Sequence, residues 1–508
     1  MNYILLLFNI LYVILKQVIP KPLKRKQKMQ KINYKRATII TLSILTIIRL
    51  ILSYFLGLDG GPAYYAMWSR HLELSYFDHP AMTAVLVKIS TLIFGWNSFA
   101  IKFPGIILFL GISIIMYKSI KLFSDDERKA FYATILFNFT PWIASSFGIK
   151  AVNPDIPFLF FFILAFYYFL KLYKTGNSNY WYIIGIATAL GFTSKYKMIF
   201  IYPALFLCIT FIKSLRVQWK SPALYISAII GLCGTIPTII WNINNNFASF
   251  EYHLIQRQNE FAFRPLQYIR FLLNQILIMG IFIPIILFKN VYKQRLNTIG
   301  KICIFFTLPA LLTFSFVSLF YGQPMQNWWA SVYMILFVLY GIKKDINKYD
   351  SAILYFTSTI SIIGTIFYTY PFGVRLKETT NFLDHHLFDM ASNHLKTIIN
   401  QKQKENKQIF IGTPRYRTTA MLNVNMPSQI IYSMDYRKGD QFQMWHNPRE
   451  LLGKDIIYIT GGSQAKQTPE KLFNAKNITL IDKQTYEYNP WFKRTFYFYE
   501  IKNYGGLK

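Results

Sequence analysis

Long apolar runs, separated by short polar connections, fill the chain from residue 37 to residue 370. A helix needs roughly 20 apolar residues to cross a bilayer, and by that measure the pattern predicts about eleven spans. They lie near 37–57, 104–122, 130–147, 156–173, 181–193, 198–212, 222–241, 271–288, 302–321, 328–342 and 351–370, the fifth and tenth being short. The stretch 3–15 is too short to span and has neither a basic leader nor a small-residue cleavage site, so it reads as an interfacial segment or an extension ahead of a later start such as Met29.

Past residue 371 the pattern shifts to short β-rich runs at 408–412, 429–433, 455–460, 477–482 and 494–501, with helical pieces at 414–424 and 468–475. Strands mixed with helices over such a length predict a small α/β domain, joined through the charged stretch 400–408. The expected organisation is a polytopic α-helical membrane protein with an N-terminal segment (1–36), a transmembrane domain (37–370) and a C-terminal α/β domain (371–508).

Composition supports a membrane protein: 53% of residues are apolar and 18% aromatic, with a mean hydropathy of +0.27. The formal charge of +32 invites a nucleic-acid reading. Its distribution argues against one, because much of the excess sits in short clusters between apolar runs, where it reports topology. Lys16, Lys21, Lys24, Arg25, Lys26, Lys28, Lys31, Lys35 and Arg36 precede the first span and place the N-terminus in the cytoplasm. An odd number of spans then sends residues 371–508 outside. Cys208, Cys233 and Cys303 all lie in apolar runs and read as small core residues, without disulfide or metal spacing.

The connections on the outer side (58–103, 148–155, 193–197 and 242–270) gather the unusual residues. Segments 63–74 and 80–94 read as amphipathic helices suited to lying at the membrane surface. Asp59 stands before Gly60-Gly61 as a turn residue or a catalytic acid. Asp78, in "DHPAM", is a helix cap or an acid; Asp155, in "NPDIP", is a first-turn acid or part of a site. Lys195 and Lys197 flank Tyr196, reaching headgroups or clamping phosphate. His253 and Arg257 are four residues apart and share a helical face. Arg49 lies inside the first span, where it must snorkel or pair, and has no assigned role. Carboxylates, a histidine and cations on one side suit a reaction in which an acid aligns or activates an acceptor while cations hold an anionic leaving group.

Taken in order, "AYYAMWSRHLELSYFDHPAM", "LIFGWNSFAIKFPGIIL", "NPDIPFLFFF", "GFTSKYKMIFIYPALFL", "WNINNNFASFEYHLIQRQ" and "GDQFQMW" resemble the bacterial branch of the protein O-mannosyltransferase-like glycosyltransferase family 39, relatives of the lipid A aminoarabinose transferases. The resemblance covers roughly residues 37–460. It implies a GT-C fold, outer-surface helices within 59–103, and sugar transfer from a polyprenyl-phosphate carrier to an outside acceptor. The family's Asp-Glu-x-Tyr-Tyr acid is met by Asp59 in "DGGPAYY", with Tyr65 in the tyrosine pair; either two residues are inserted or Gly61-Pro62 replaces the acidic pair. Asp78 with His79-Pro80 matches an Asp-His-Pro-Pro motif, Asp155 a second acidic position, and Lys195-Tyr196 a Ser-Lys-Tyr motif.

On this reading Asp59, Asp78 and Asp155 are the catalytic candidates. Lys195, Tyr196, His253, Arg257, His79 and Tyr65 are candidates for the donor and its phosphate. The resemblance also allows a divalent metal held by Asp78 and His253. The expected partners are a polyprenyl-phosphate sugar, a lipid or glycan acceptor such as lipid A, and membrane lipids, without nucleic acid. The expected place is the inner or plasma membrane. A transporter or flippase would instead place ionisable residues at mid-membrane and show paired repeats; a non-catalytic lipid-binding member of the family is the third alternative.

Overall fold

The computed structural model describes residues 33–256, 260–295, 297–322, 325–343, 345–369, 384–404, 408–434, 439–461, 468–489 and 492–508. The segment 3–15, most of the basic N-terminal cluster and Arg257 lie outside the described residues.

Every apolar run expected to span is helical. The first helix, Tyr34–Phe55, opens on Asn33, whose side chain accepts the Arg36 N–H at 2.9 Å. Five described helices are long and apolar enough to cross a membrane: Tyr34–Phe55, Ser98–Lys121, Asp155–Thr175, Pro222–Asn244 and Thr298–Phe320. Counting two bent pairs as one span each raises this to seven, so the protein is multi-pass.

Two runs differ from the simple pattern. Run 271–288 is two helices, Pro265–Met279 and Phe282–Gln294, bent by 105°; Gly280 between them sits at φ 85°, which ends the first helix. Run 130–147 is broken at Thr140-Pro141 and continues as a π-helix, Ala144–Ile149. Proline has no N–H to continue the ladder. The π turn re-aims the chain just before Lys150.

The helices pack through aromatic side chains. Phe158, Phe162, Phe166 and Phe169 fall at helical spacing on the buried face of Asp155–Thr175, and Phe166 meets Phe306 edge-on. Arg49 is satisfied inside the bundle: Nη1 donates to Asn138 Oδ1 at 3.0 Å and the guanidinium lies over the Phe109 ring at 4.6 Å. Cys208 and Cys303 are buried as expected, but Cys233 is exposed on the flank of its helix.

The C-terminal region holds a mixed sheet of strands β1 (Phe410–Thr413), β2 (Ile431–Ser433), β3 (Ile456–Gly461), β4 (Phe473–Asn489) and β5 (Phe492–Leu507), in the order β2-β1-β3-β5-β4. β1 pairs in parallel with both β2 and β3; β5 runs antiparallel to β3 and β4. All five expected strands exist. The helix expected at 468–475 is one turn, Pro469–Leu472, because Phe473 already pairs with Leu507. The stretch 400–408 was expected as linker, but helix Asp384–Lys404 runs into it, and Lys402 pairs with Glu500 at 2.8 Å.

The sheet does not stand apart from the rest of the chain. Leu58, Tyr64, Trp68 and Tyr76 of the first long connection share one core with Leu387, Ala420, Phe442 and Phe498. That shared core holds the connection in place above the helix ends.

Candidate functional site

The site is built where three connections meet. Asn153 caps the helix Asp155–Thr175 through its side chain, accepting the N–H groups of Asp155 at 3.0 Å and Ile156 at 3.2 Å. Asp155 thus enters in the first turn, as expected for the positive end of a helix dipole. Its carboxylate receives Lys195 Nζ at 2.7 Å, Lys197 Nζ at 3.6 Å and Asn327 Nδ2 at 2.5 Å. Asp155 is 4% and Lys195 5% exposed, so the pair is shielded from solvent. Such a pair is costly to desolvate; Asn327 adds a second bond to Oδ2, whereas the buried Oδ1 has Lys197 only at ion-pair distance and no hydrogen bond.

Asp59 shows both turn and site character. Its Oδ1 accepts the Gly61 N–H at 3.1 Å, capping the helix Gly60–Trp68, and its Oδ2 pairs with Lys150 at 2.6 Å. The helix is shorter than the expected 63–74, beginning at Gly60 because Asp59 caps it and ending at Trp68 before a turn. Ala151, next to Lys150, takes φ 51°, and its carbonyl oxygen sits against Gly105 of the helix Ser98–Lys121 so closely that a Cβ there would collide with it. Lys102 is fully buried one turn earlier and donates to the carbonyls of Leu56 and Gly57, both at 2.8 Å. Those bonds hold the chain between the first span and Asp59.

A cavity of about 330 Å³ opens between these elements. Asp155, Lys195, Lys197 and Asn327 wall one part of it, and Tyr65, His79, Lys150 and Arg417 also line it, with Trp142, Phe147 and Trp328 as apolar surface. Four cations against two carboxylates leave the surroundings positive. The arrangement can hold anionic groups and align a nucleophile beside them.

Asp78 takes a different place. It does not cap the helix Met82–Phe94: the N-cap residue is Ala81, with no side-chain cap bond. A Ser75–Pro80 bridge and a Tyr76 N–H to His79 carbonyl bond of 3.1 Å fold 75–80 into a tight loop instead. Tyr64 Oη donates to Asp78 Oδ2 at 2.5 Å. Burial, then the charges of Asp78 and Asp440, push the Tyr64 phenol well above its usual range, so the proton stays on it. Tyr64 Oη in turn accepts the Gln441 main-chain N–H at 2.9 Å, and the Gln441 side chain accepts the Phe77 N–H at 2.7 Å. Glu73 completes the clamp, receiving the indole N–H groups of Trp241 and Trp445, each at 2.5 Å, and Gln441 Nε2 at 3.2 Å.

Residues 78–241 match the family of dolichyl-phosphate-mannose-protein mannosyltransferases. The chain is 21% identical over 340 residues to the lipid A galacturonosyltransferase RgtD of Rhizobium johnstonii, covering 65% of each protein. It is 25% identical over 136 residues to the undecaprenyl phosphate-alpha-4-amino-4-deoxy-L-arabinose arabinosyl transferase of Pseudomonas savastanoi pv. phaseolicola, covering 26% of this chain and 25% of that protein. The chain therefore spans just under two thirds of the first of these relatives and a quarter of the second. Among solved structures, ArnT from Cupriavidus metallidurans bound to undecaprenyl phosphate superposes with a TM-score of 0.63 at 10% identity, covering 92% of this chain and 98% of that one. The chain is thus similar to these glycosyltransferases in sequence and shares the GT-C fold of that structure.

Within this fold, Asp155, Lys195, His79 and Tyr65 line one cavity, and Asp59 reaches it through Lys150. Asp78, Tyr196 and His253 are not among the residues that wall the cavity. Tyr196 Oη shares a hydrogen bond with Ser249 Oγ at 2.8 Å, and His253 Nε2 donates to the Asp78 main-chain carbonyl at 2.7 Å. The metal expectation does not fit this donor set. His253 Nε2 is bonded to the main-chain carbonyl of Asp78, and among the described residues no three His, Cys, Asp or Glu side chains gather at one point.

Lys150, Arg417, Asn327 and Glu73 were not singled out from the sequence. Lys150 sits in the same "GIKAVNPD" turn as Asp155, which was the available signal. Arg417 and Glu73 carry no local pattern that distinguishes them from surface charges.

Proposed function

We propose that the chain is an integral-membrane glycosyltransferase that moves a sugar from a polyprenyl-phosphate carrier to an extracytoplasmic envelope acceptor, a lipid or glycan of the lipid A kind, with inversion. The observation that carries this reading is the Asp155–Lys195 pair at 2.7 Å, lining a cationic cavity beside helices long enough to span a membrane. The names of the relatives agree with it, each describing a sugar transferase of lipid A or of an undecaprenyl phosphate donor.

In this mechanism the acceptor oxygen attacks the anomeric carbon from the face opposite the phosphate. The new C–O bond forms as the bond to the phosphate oxygen breaks, and the electron pair leaves with the polyprenyl phosphate. Lys195 and Lys197 steady that developing charge as fixed cations. Asp155 holds the two lysines and aligns the acceptor; a hydroxyl acceptor passes its proton to a carboxylate of the site, whereas a phosphate acceptor has none to lose. Asp59 keeps Lys150 directed at the cavity. Asp78 supports the first connection through Tyr64. The basic clusters support a cytoplasmic N-terminus, with the sheet on the outer side of the inner membrane where the lipid-linked sugar is presented.

The test is transfer by purified protein in proteoliposomes given radiolabelled polyprenyl-phosphate sugars and envelope lipid extract. Asp155→Asn is expected to lose the most activity, Asp59→Asn less, and Asp78→Asn least. Wild-type protein that transfers no sugar from any donor sinks the reading.

A further inference from the structure

The cavity has two cationic poles contributed by different parts of the chain. One is Lys195 with Lys197, both committed to Asp155 at 2.7 and 3.6 Å. The other includes Arg417, which comes from the helix Tyr416–Asn425 beneath the sheet and lies against Gly60, next to Asp59. Its Nε donates to Tyr416 Oη at 3.1 Å. Among the described residues no carboxylate forms an ion pair with it; its guanidinium lies 5.7 Å from the centre of the Tyr416 ring, and the residue lines the cavity. Burial works against its charge, but Tyr416, Asp59 and Tyr65 outweigh burial and hold the guanidinium above its ordinary value. It is a permanent cation.

Departure of a polyprenyl phosphate needs cations at the scissile oxygen, and the Asp155 pole already supplies two. A planar fork set on the other domain is suited to bidentate recognition of a carboxylate or phosphate. Resting on the glycosyltransferase reading, we infer that Arg417 is a specificity-determining residue that receives a second anionic group of the substrates, distinct from the phosphate that departs. Two sources offer this chemistry: a carboxylate on the donor sugar, or a phosphate on the acceptor. In either case the C-terminal sheet region takes part in selection, not only in covering the site.

The experiment is equilibrium binding to full-length protein in nanodiscs, which does not require turnover. The probes are polyprenyl phosphate carrying a hexuronic acid against the same lipid carrying a neutral hexose, and lipid A against its dephosphorylated form. Wild type is expected to prefer the acidic member of one pair by about 10- to 100-fold. Arg417→Gln is expected to abolish that preference without changing affinity for the neutral member, and Arg417→Lys to restore part of it. The pair that loses its preference identifies the source.

No preference in wild type, a preference that survives in Arg417→Gln, or an equal loss across all four probes overturns the assignment. Thermal unfolding of each variant separates misfolding from altered recognition, and Arg417→Lys retains the charge if the glutamine variant is unstable. Binding with the expected pattern but no transfer would overturn the enzymatic reading and leave the Arg417 assignment standing.

Discussion

The main-chain N–H of Gln441 donates to the phenol oxygen of Tyr64 at 2.9 Å, and the same phenol donates to Asp78. One hydroxyl thus links the sheet region to the loop that carries the Asp-His-Pro motif. Replacing Tyr64 with Phe leaves a buried N–H and a carboxylate oxygen each short of one partner. An unmade buried hydrogen bond costs about 1–3 kcal/mol. Chemical or thermal unfolding of Tyr64→Phe should show a loss of that size, with transfer slowed less than in Asp155→Asn; a variant as stable as wild type would mean the link carries no energy.

Asp155 and Lys195 form a shielded pair, so removing one partner leaves a buried charge. Asp155→Asn or Lys195→Met should each destabilise the protein by about 3–5 kcal/mol. The double variant should lose less than the sum, and a coupling near zero in the double-mutant cycle would contradict the pairing. Transfer should fall by about 100-fold or more in either single variant.

Glu73 accepts from two indoles on different parts of the chain. Glu73→Gln halves that accepting capacity and places an amide N–H₂ where an acceptor is needed. Limited proteolysis should then release the C-terminal region more readily, and the fluorescence of Trp241 and Trp445 should shift red as their surroundings admit water. Unchanged cleavage and emission would show that the clamp is not held by this carboxylate.

His385 packs against Gly57, and burial first, with the charges of His386 and Lys102 adding to it, lowers its pKa to about 4. The unfolded chain takes up this proton near pH 6.5, the folded chain only near 4. Stability from the neutral imidazole is therefore complete above pH 6.5 and drains away as pH falls from 6.5 to 4, on the order of 3 kcal/mol from this group. Unfolding midpoints between pH 7 and 4.5 should drop more steeply for wild type than for His385→Gln. Parallel slopes would assign the acid sensitivity elsewhere.

Among the described residues no three metal-ligating side chains gather at Asp78 and His253, so chelation by EDTA is expected to leave transfer within about twofold of the untreated rate, a free-energy change under 1 kcal/mol. A loss restored by zinc or magnesium would reverse that conclusion.

The apolar runs made the helical region readable, and alternation made the five strands readable, because both patterns express local geometry. The helix Asp384–Lys404 was not expected, although Leu387, Phe388, Ala391, Leu395, Ile398 and Ile399 follow helical spacing. Asp155 and Lys195 were singled out because each is a charged residue in a short connection between apolar runs. Arg417 and Glu73 were hidden because their roles arise from contacts across hundreds of residues. The break at Gly280 was missed because unbroken hydropathy masks a change of direction. Asp78, His253 and Tyr196 were each site candidates; what the sequence could not express is that His253 bonds the Asp78 carbonyl and Tyr196 the Ser249 hydroxyl while other side chains wall the hollow.

The collision that any side chain at Gly105 would make with the Ala151 carbonyl has a wider consequence. The turn holding Lys150 and leading into Asp155 is seated in a notch on the membrane helix Ser98–Lys121, so its alignment is inherited from a position that does not line the cavity. A methyl group added there would act as a wedge, tilting charge away from its target while leaving every charged residue in the chain. Surveys that alter only polar residues would overlook this lever, and a silent-looking alanine at 105 would imitate the loss of a reactive group.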